Sequence, residues 1–305
     1  MRFFRNTLIF FVLFFLLIYF SFFRNKIYYK EFFLFDTIVE IKFFSRNPFI
    51  AKKTFNEIEK EYNYIDSLCS PLIEKCIENK LISEIVRISK EISEETSGAF
   101  DVSIGVIMKL WNRFKEPILP DTEEIIKNLK FVDYSKIVIK NDSVIPSKNQ
   151  IIDIGGIAKG YAIKKGIEIM KKNGIKSGMI NAGGDIGILG DKNGKFWKIG
   201  IRDPFDKNSL IDTLYLKNTS CATSGDYERY FEINNKIYHH ILDPKTGYPA
   251  NTFRSVTVIY DDPVYADAYA TAIFVLGKNG IEFAKRKGLK VIIVEKNKEI
   301  IRINI

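Results

Sequence analysis

Apolar residues recur at helical spacing in two early stretches. Phe55, Ile58, Tyr62 and Ile65 lie within a segment from about Phe49 to Leu68, and Leu81, Ile85, Ile88 and Ile92 lie within one ending near Gly98. Spacings of three and four put each set on one face, so both segments are predicted to be amphipathic helices. Phe32–Phe44 reads as a single strand before them. Pro120-Asp-Thr-Glu-Glu looks like a helix start, with Asp121 as the cap and Glu124 three residues on. A hairpin about Asn141-Asp142 is expected next, then a helix after Gly156 running to about Asn173. Several strands follow between Ser177 and Tyr260, then a helix carrying Asp267 and a closing strand, Lys290–Val294. Strands and helices do not alternate strictly, which favours an α+β fold over a doubly wound sheet.

One stretch fits neither period. Thr7 to Phe23 is uncharged and rich in Phe and Leu, with Arg2 and Arg5 before it and Arg24, Lys26 and Lys30 after it. Its length is at the short end for a membrane-spanning helix, for which about 20 residues are usual. An uncleaved anchor and a cleaved signal segment both stay open. The lack of small residues at a cleavage site favours the anchor. Basic residues at both ends leave the orientation unset. Residues 1–30 are therefore read as an anchor or signal segment and residues 31–305 as one globular unit, with no long linker, low-complexity tract or tandem repeat.

A hydrophobic content of 46% in 305 residues supports a sizeable core. The net charge of +9 raises the question of nucleic acid, but the lysines are scattered, and Lys164, Lys165, Lys171 and Lys172 read as a solvated helix face. No nucleic-acid partner is expected. Cys69 and Cys76 are seven apart, too far for a disulfide if they share one straight helix rising about 1.5 Å per residue. Cys221 reads as a small buried residue. The lack of a C-x-x-C pair argues against structural zinc.

Candidate chemistry gathers in three places. The only two histidines, His239 and His240, end a polar run from Ala222 and precede Asp243-Pro244 and Gly247, a rigid turn that would hold His240 at a strand end. Asp153-Ile-Gly-Gly-Ile-Ala-Lys-Gly-Tyr-Ala joins a strand to a helix, where glycines, unpaired N–H groups and Lys159 suit an anion; a plain strand-to-helix turn is the alternative. Asp267 and Thr271 are four apart, on one helix face. Two hard oxygen donors near a phosphate suit Mg2+, whereas an Asp near a helix start also serves as a cap.

These segments, with Asn181-Ala-Gly-Gly-Asp185, resemble the ApbE-type FAD:protein FMN transferases. The resemblance runs from about Gly98 to Gly277 with the segments in family order: Gly98-Ala-Phe-Asp-Val, Leu110-Trp111, Asp153 to Ala162, Asn181 to Asp185, Thr223-Ser-Gly-Asp-Tyr-Glu-Arg, His239-His-Ile-Leu-Asp-Pro-Lys-Thr-Gly and Ala266-Asp-Ala-Tyr-Ala-Thr. It implies a two-lobed α+β fold with FAD in the cleft between the lobes. The implied reaction is Mg2+-dependent transfer of the FMN half of FAD to a Thr or Ser hydroxyl of a target flavoprotein, releasing AMP. By resemblance, Asp267, Thr271 and the Gly156 carbonyl hold Mg2+, and Asp153, Lys159, Ala99, Phe100 and Asp101 contact FAD. His240 either deprotonates the acceptor hydroxyl or contacts phosphate.

The resemblance further implies a catalytic unit on the outer, periplasmic face of the cytoplasmic membrane and a target such as a subunit of a membrane redox complex. Near the N-terminus the family pattern weakens. Phe35-Asp36-Thr37 and Ser70-Pro71-Leu72 occupy the corresponding places, and Phe35 and Leu72 are either flavin contacts or core. The alternatives are an FAD pyrophosphatase or FAD carrier that needs no acceptor, and a basic, surface-anchored adhesion protein that binds neither FAD nor Mg2+.

Overall fold

The computed structural model describes residues 25–112, 116–206 and 208–305, so the apolar stretch Thr7 to Phe23 lies outside the described residues. Among the described residues no helix is long and apolar enough to cross a membrane.

The chain opens with a hairpin, β1 (Lys26–Leu34) and β2 (Thr37–Ser45), paired antiparallel with Leu34 opposite Thr37. This corrects the single strand expected over Phe32–Phe44. The turn consists of Phe35 and Asp36, at φ 56° and 55°. Positive φ at both central residues matches the right-handed twist of paired strands, but it is usually provided by Asn-Gly or Asp-Gly, so Phe35-Asp36 carries no turn signal.

Two long helices follow. In α1 (Pro48–Cys69), Asn47 caps the start by accepting from the Phe49 and Ile50 N–H groups, and Phe55, Ile58, Tyr62 and Ile65 are buried as the spacing requires. After the short β3 (Ile77–Glu78), α2 (Lys80–Glu95) is capped in the same way by Asn79. Two helices stand away from this pair, α3 (Gly105–Leu110), absent from the sequence reading, and α4 (Thr122–Leu129), which Asp121 caps through the Glu123 N–H. β4 (Val138–Lys140) and β5 (Ser143–Ile145) form the expected hairpin, and α5 (Gly155–Lys172) the expected helix.

β6 (Gly178–Ala182), β7 (Asp185–Leu189), β8 (Trp197–Arg202), β9 (Leu210–Leu216), β10 (Ser220–Gly225), β11 (Tyr230–Ile233), β12 (Lys236–His239) and β13 (Phe253–Tyr260) fill the Ser177–Tyr260 region. Then come α6 (Pro263–Leu276), α7 (Lys278–Lys287), β14 (Lys290–Glu295) and β15 (Ile300–Ile303). α7 and β15 were not expected. Eight strands form one sheet in the order β1-β2-β6-β7-β10-β13-β14-β15, antiparallel at every step.

The sheet with its helices is α+β, as the non-alternating pattern indicates. One face carries α1, α5 and α6, in a core that includes Ile41, Ile58, Tyr62, Ile163, Val258 and Phe274. The hairpin β8–β9 covers part of the other face with Trp197, Ile199, Ile201 and Leu214 against Ile186, Cys221 and Ile292. A smaller cluster about Trp111 joins α3, α4 and Leu242 to Phe231 and Tyr238 of β11–β12.

Candidate functional site

A cavity of about 360 Å3 opens where the main core meets the Trp111 cluster. Of the residues singled out from sequence, it is lined by Ala99, Phe100, Asp101, Asp153, Gly156, Lys159, His240, Asp267 and Thr271. They come from segments far apart in the chain, and tertiary packing brings all of them to one place. Phe35 and Ser70 also line it, whereas Leu72 does not.

The helix α5 starts at the cavity wall. Ile154 occupies its cap position without a side-chain cap, and Gly155 donates its N–H to Asp153 Oδ1 at 2.8 Å. Gly155 and Gly156 are exposed, leaving the helix start open to the cavity. A helix start carries unpaired N–H groups and partial positive charge. Lys159 adds an ammonium whose ion pair with Asp185 favours the charged form.

The helices α5 and α6 cross tightly at Gly160. A Cβ there would lie 2.4 Å from the Pro263 carbonyl oxygen and 2.9 Å from Asp267 Cβ. Because the contact is that close, the Gly160 N–H reaches Asp267 Oδ2 at 2.9 Å. Asp267 is therefore not a helix cap, a task that falls to Asp262 through the Val264 N–H. Burial, then the neighbouring Asp185 charge, push the Asp267 carboxyl up to about 7, against the opposing pull of Lys159 and the Gly160 N–H. One helical turn on, the Thr271 hydroxyl lies 3.0 Å from that of Ser224 on β10. Among the described residues no three His, Cys, Asp or Glu side chains form a metal cluster.

Asp101 has an inward task as well. Its Oδ1 accepts from the Ser103 N–H at 2.8 Å and hydroxyl at 2.6 Å, and Oδ2 accepts from the Tyr134 N–H at 3.0 Å. These bonds hold Ala99 and Phe100 in the cavity wall.

His239 and His240 face different surroundings. His239 is 3% exposed and its Nε2 meets the Ala250 carbonyl at 2.7 Å, so it belongs to the core. His240 stands on the cavity wall, where the Arg229 carbonyl meets both its backbone N–H at 3.1 Å and its Nδ1 at 3.2 Å. A carbonyl only accepts, so Nδ1 carries the proton and Nε2 keeps a free lone pair. Burial, then the Arg229 charge, lower His240 to about 3, so the imidazole is neutral. The turn after it is fixed by Gly247 N–H to the Asp243 carbonyl at 2.8 Å and by Trp111 Nε1 to the Gly247 carbonyl at 2.9 Å.

Sequence reasoning gave no role to Asp185, Ser224, Glu228 or Arg229. All four lie within the quoted runs Asn181–Asp185 and Thr223–Arg229, but only the fold shows Ser224, Glu228 and Arg229 on the cavity and Asp185 behind it. Cys69, Cys76 and Cys221 are free thiols, the first and last buried.

Fold and cavity together define an α+β protein whose cavity offers an anion a helix start and an ammonium beside a buried carboxylate. The chain belongs to the ApbE family, whose sequence profile matches residues 35–293. An FAD:protein FMN transferase of Klebsiella pneumoniae (strain 342) is 30% identical over 298 residues, which is 91% of this chain and 92% of that protein. One from Treponema pallidum (strain Nichols) is 33% identical over 207 residues, covering 61% of this chain and 57% of the relative. The crystal structure of the ApbE protein from Thermotoga maritima MSB8 superposes with a TM-score of 0.84 at 33% identity, covering 91% of this chain and 97% of that one. Flavin transferase ApbE from Vibrio cholerae, at 23% identity, shares the fold with a TM-score of 0.77 over 91% of this chain and 96% of its own.

Proposed function

We propose that this protein is an FAD:protein FMN transferase that moves the FMN half of FAD onto a Thr or Ser hydroxyl of a target flavoprotein and releases AMP. The observation that carries the reading is the convergence of Lys159, the open start of α5, Asp267, Thr271 and His240 on one cavity, in a chain that matches 92% of a relative bearing that activity in its name.

The reaction is a displacement at phosphorus. The acceptor oxygen bonds to the phosphorus on the riboflavin side, the bond from that phosphorus to the bridging oxygen breaks, and AMP leaves with the electron pair. Enzymes catalyse such steps mainly by alignment and by offsetting charge. The α5 start and Lys159 hold the pyrophosphate, while Ala99, Phe100, Asp101 and Asp153 shape the wall about the flavin nucleotide. The free lone pair of His240 Nε2 takes the acceptor proton. An imidazole lowered to about 3 is a weak resting base, and the proton becomes acidic only as the oxygen bonds to phosphorus, when a neutral acceptor at the right place is what is needed.

Mg2+ suits the residues present. Asp267 and Asp185 place two buried carboxylates against the single Lys159 ammonium, and the Asp267 proton is one that a cation would displace. Asp267, Thr271 and the Gly156 carbonyl are the residues that would hold it, the phosphates and water completing a set rich in oxygen. When bound, the ion offsets charge on the phosphates as a Lewis acid.

In the same reading, residues 1–30 anchor the enzyme in the cytoplasmic membrane with residues 31–305 on the outer, periplasmic side, where a subunit of a membrane redox complex is the acceptor. The test incubates a soluble form, residues 28–305, with FAD, Mg2+ and a candidate acceptor domain, followed by intact mass spectrometry and nucleotide assay. An acceptor heavier by FMN minus water, with AMP in proportion, is the expected result. Free FMN and AMP with every candidate acceptor unmodified identifies an FAD pyrophosphatase, and FAD left intact identifies a carrier.

A further inference from the structure

Behind the cavity wall lies a carboxylate that the reaction above does not use. Asp185 is 2% exposed and opens β7 directly after Gly183 and Gly184, which turn the chain at φ 63° and 103°. A Cβ on Gly183 would lie 2.6 Å from Thr37 Oγ1, so the turn packs directly on the β1–β2 hairpin. Asp185 Oδ1 accepts from the Thr223 N–H at 3.1 Å, and Oδ2 takes the Lys159 ammonium. It thereby ties β7 to β10 and to the N-terminal part of α5. Lys159 directly precedes Gly160, whose N–H holds Asp267. Both carboxylates lie within electrostatic reach of the lysine, yet its hydrogen bond goes to Asp185.

We propose that Asp185 is a positioning residue: by binding the Lys159 ammonium it keeps that charge off Asp267, leaving the Asp267 carboxylate open to a divalent cation. The inference rests on the reading of Asp267 as a metal-holding residue. An ammonium in a partly closed site needs a counter-charge, because an unpaired buried ion is strongly disfavoured. Without Asp185, the nearest buried anion for Lys159 is Asp267. The lysine would then occupy the carboxylate that the cation needs.

The test reads metal binding alone, with Mn2+ as the probe, by electron paramagnetic resonance on the full chain without FAD. Asp185→Asn keeps an acceptor oxygen for the Thr223 N–H and removes only the counter-charge, and Asp185→Ser serves if it fails to fold. Its Mn2+ affinity is expected to fall about tenfold or more. Lys159→Met then separates positioning from simple loss of negative charge. It is expected to raise Mn2+ affinity at least about fivefold more in the Asp185→Asn background than in the wild type, since coupled residues show non-additive effects. Equal effects in both backgrounds would overturn the positioning role while leaving the metal reading intact. If the wild type binds no Mn2+, or binds it unchanged after Asp267→Ala, the metal reading fails and the positioning role fails with it.

Discussion

His239 and His240 are neighbours in sequence with different tasks. His239 is buried against the Ala250 carbonyl, and burial lowers it to about 4. The unfolded chain, with a histidine near 6.5, binds the proton more readily than the folded one. Its contribution to stability is therefore complete above pH 6.5 and is lost as pH falls through about 4, up to about 3 kcal/mol. Urea denaturation at pH 7 and pH 4.5 should show a loss for the wild type that shrinks in His239→Phe. His240→Ala should retain FAD affinity and lose transfer by a factor of about 10²–10⁴, the usual worth of a positioned base. Lost FAD affinity in calorimetry would instead make His240 a phosphate contact. Asp267→Ala should abolish Mg2+-dependent turnover with an unchanged far-UV spectrum. At this scale the sequence named residues that the fold brings to one cavity, because the types were chosen for the chemistry they carry. It did not separate the two histidines, since burial differs between adjacent residues of identical type.

At the scale of elements, the crossing of α5 and α6 sets the site. Gly160 brings the helices close enough for a backbone N–H to meet Asp267, so Gly160→Ala forces backbone apart at the Pro263 carbonyl. A destabilisation of about 1–3 kcal/mol is expected from such overpacking. Metal affinity should fall too, read by urea denaturation and Mn2+ titration of the same samples. The amphipathic helices α1 and α2 were legible because one buried face repeats at helical spacing. The β1–β2 hairpin was not, because Phe35 and Asp36 adopt positive φ without glycine or asparagine. α7 and β15 were missed for a related reason. The helix is short and largely charged, Lys278–Lys287, and the strand has four residues, too few for a period to show.

The whole molecule places its cavity where the sheet, three helices and the Trp111 cluster meet. A ligand that binds only the folded state stabilises it by mass action, about 2.7 kcal/mol at one hundred times its dissociation constant. FAD with Mg2+ should therefore raise the melting temperature of residues 28–305 more than either alone, and by less in Asp267→Ala, as scanning calorimetry would show. The N-terminal segment makes its own prediction. Full-length protein should float with liposomes in a density gradient while residues 28–305 stay at the bottom, and equal behaviour would remove the anchor.

The α+β class, the two amphipathic helices and a set of candidate residues could be read from the order of amino acids alone. Periodicity follows from one buried face, and chemistry follows from residue type. Three-dimensional packing was needed to bring the candidates to one cavity, to pair Lys159 with Asp185 rather than Asp267, and to bond His240 through Nδ1 on the cavity wall while sealing His239 in the core. Those outcomes depend on a helix crossing between Gly160 and Asp267, on the pairing of α5 with β7, and on burial that differs between neighbouring residues, none of which local sequence encodes.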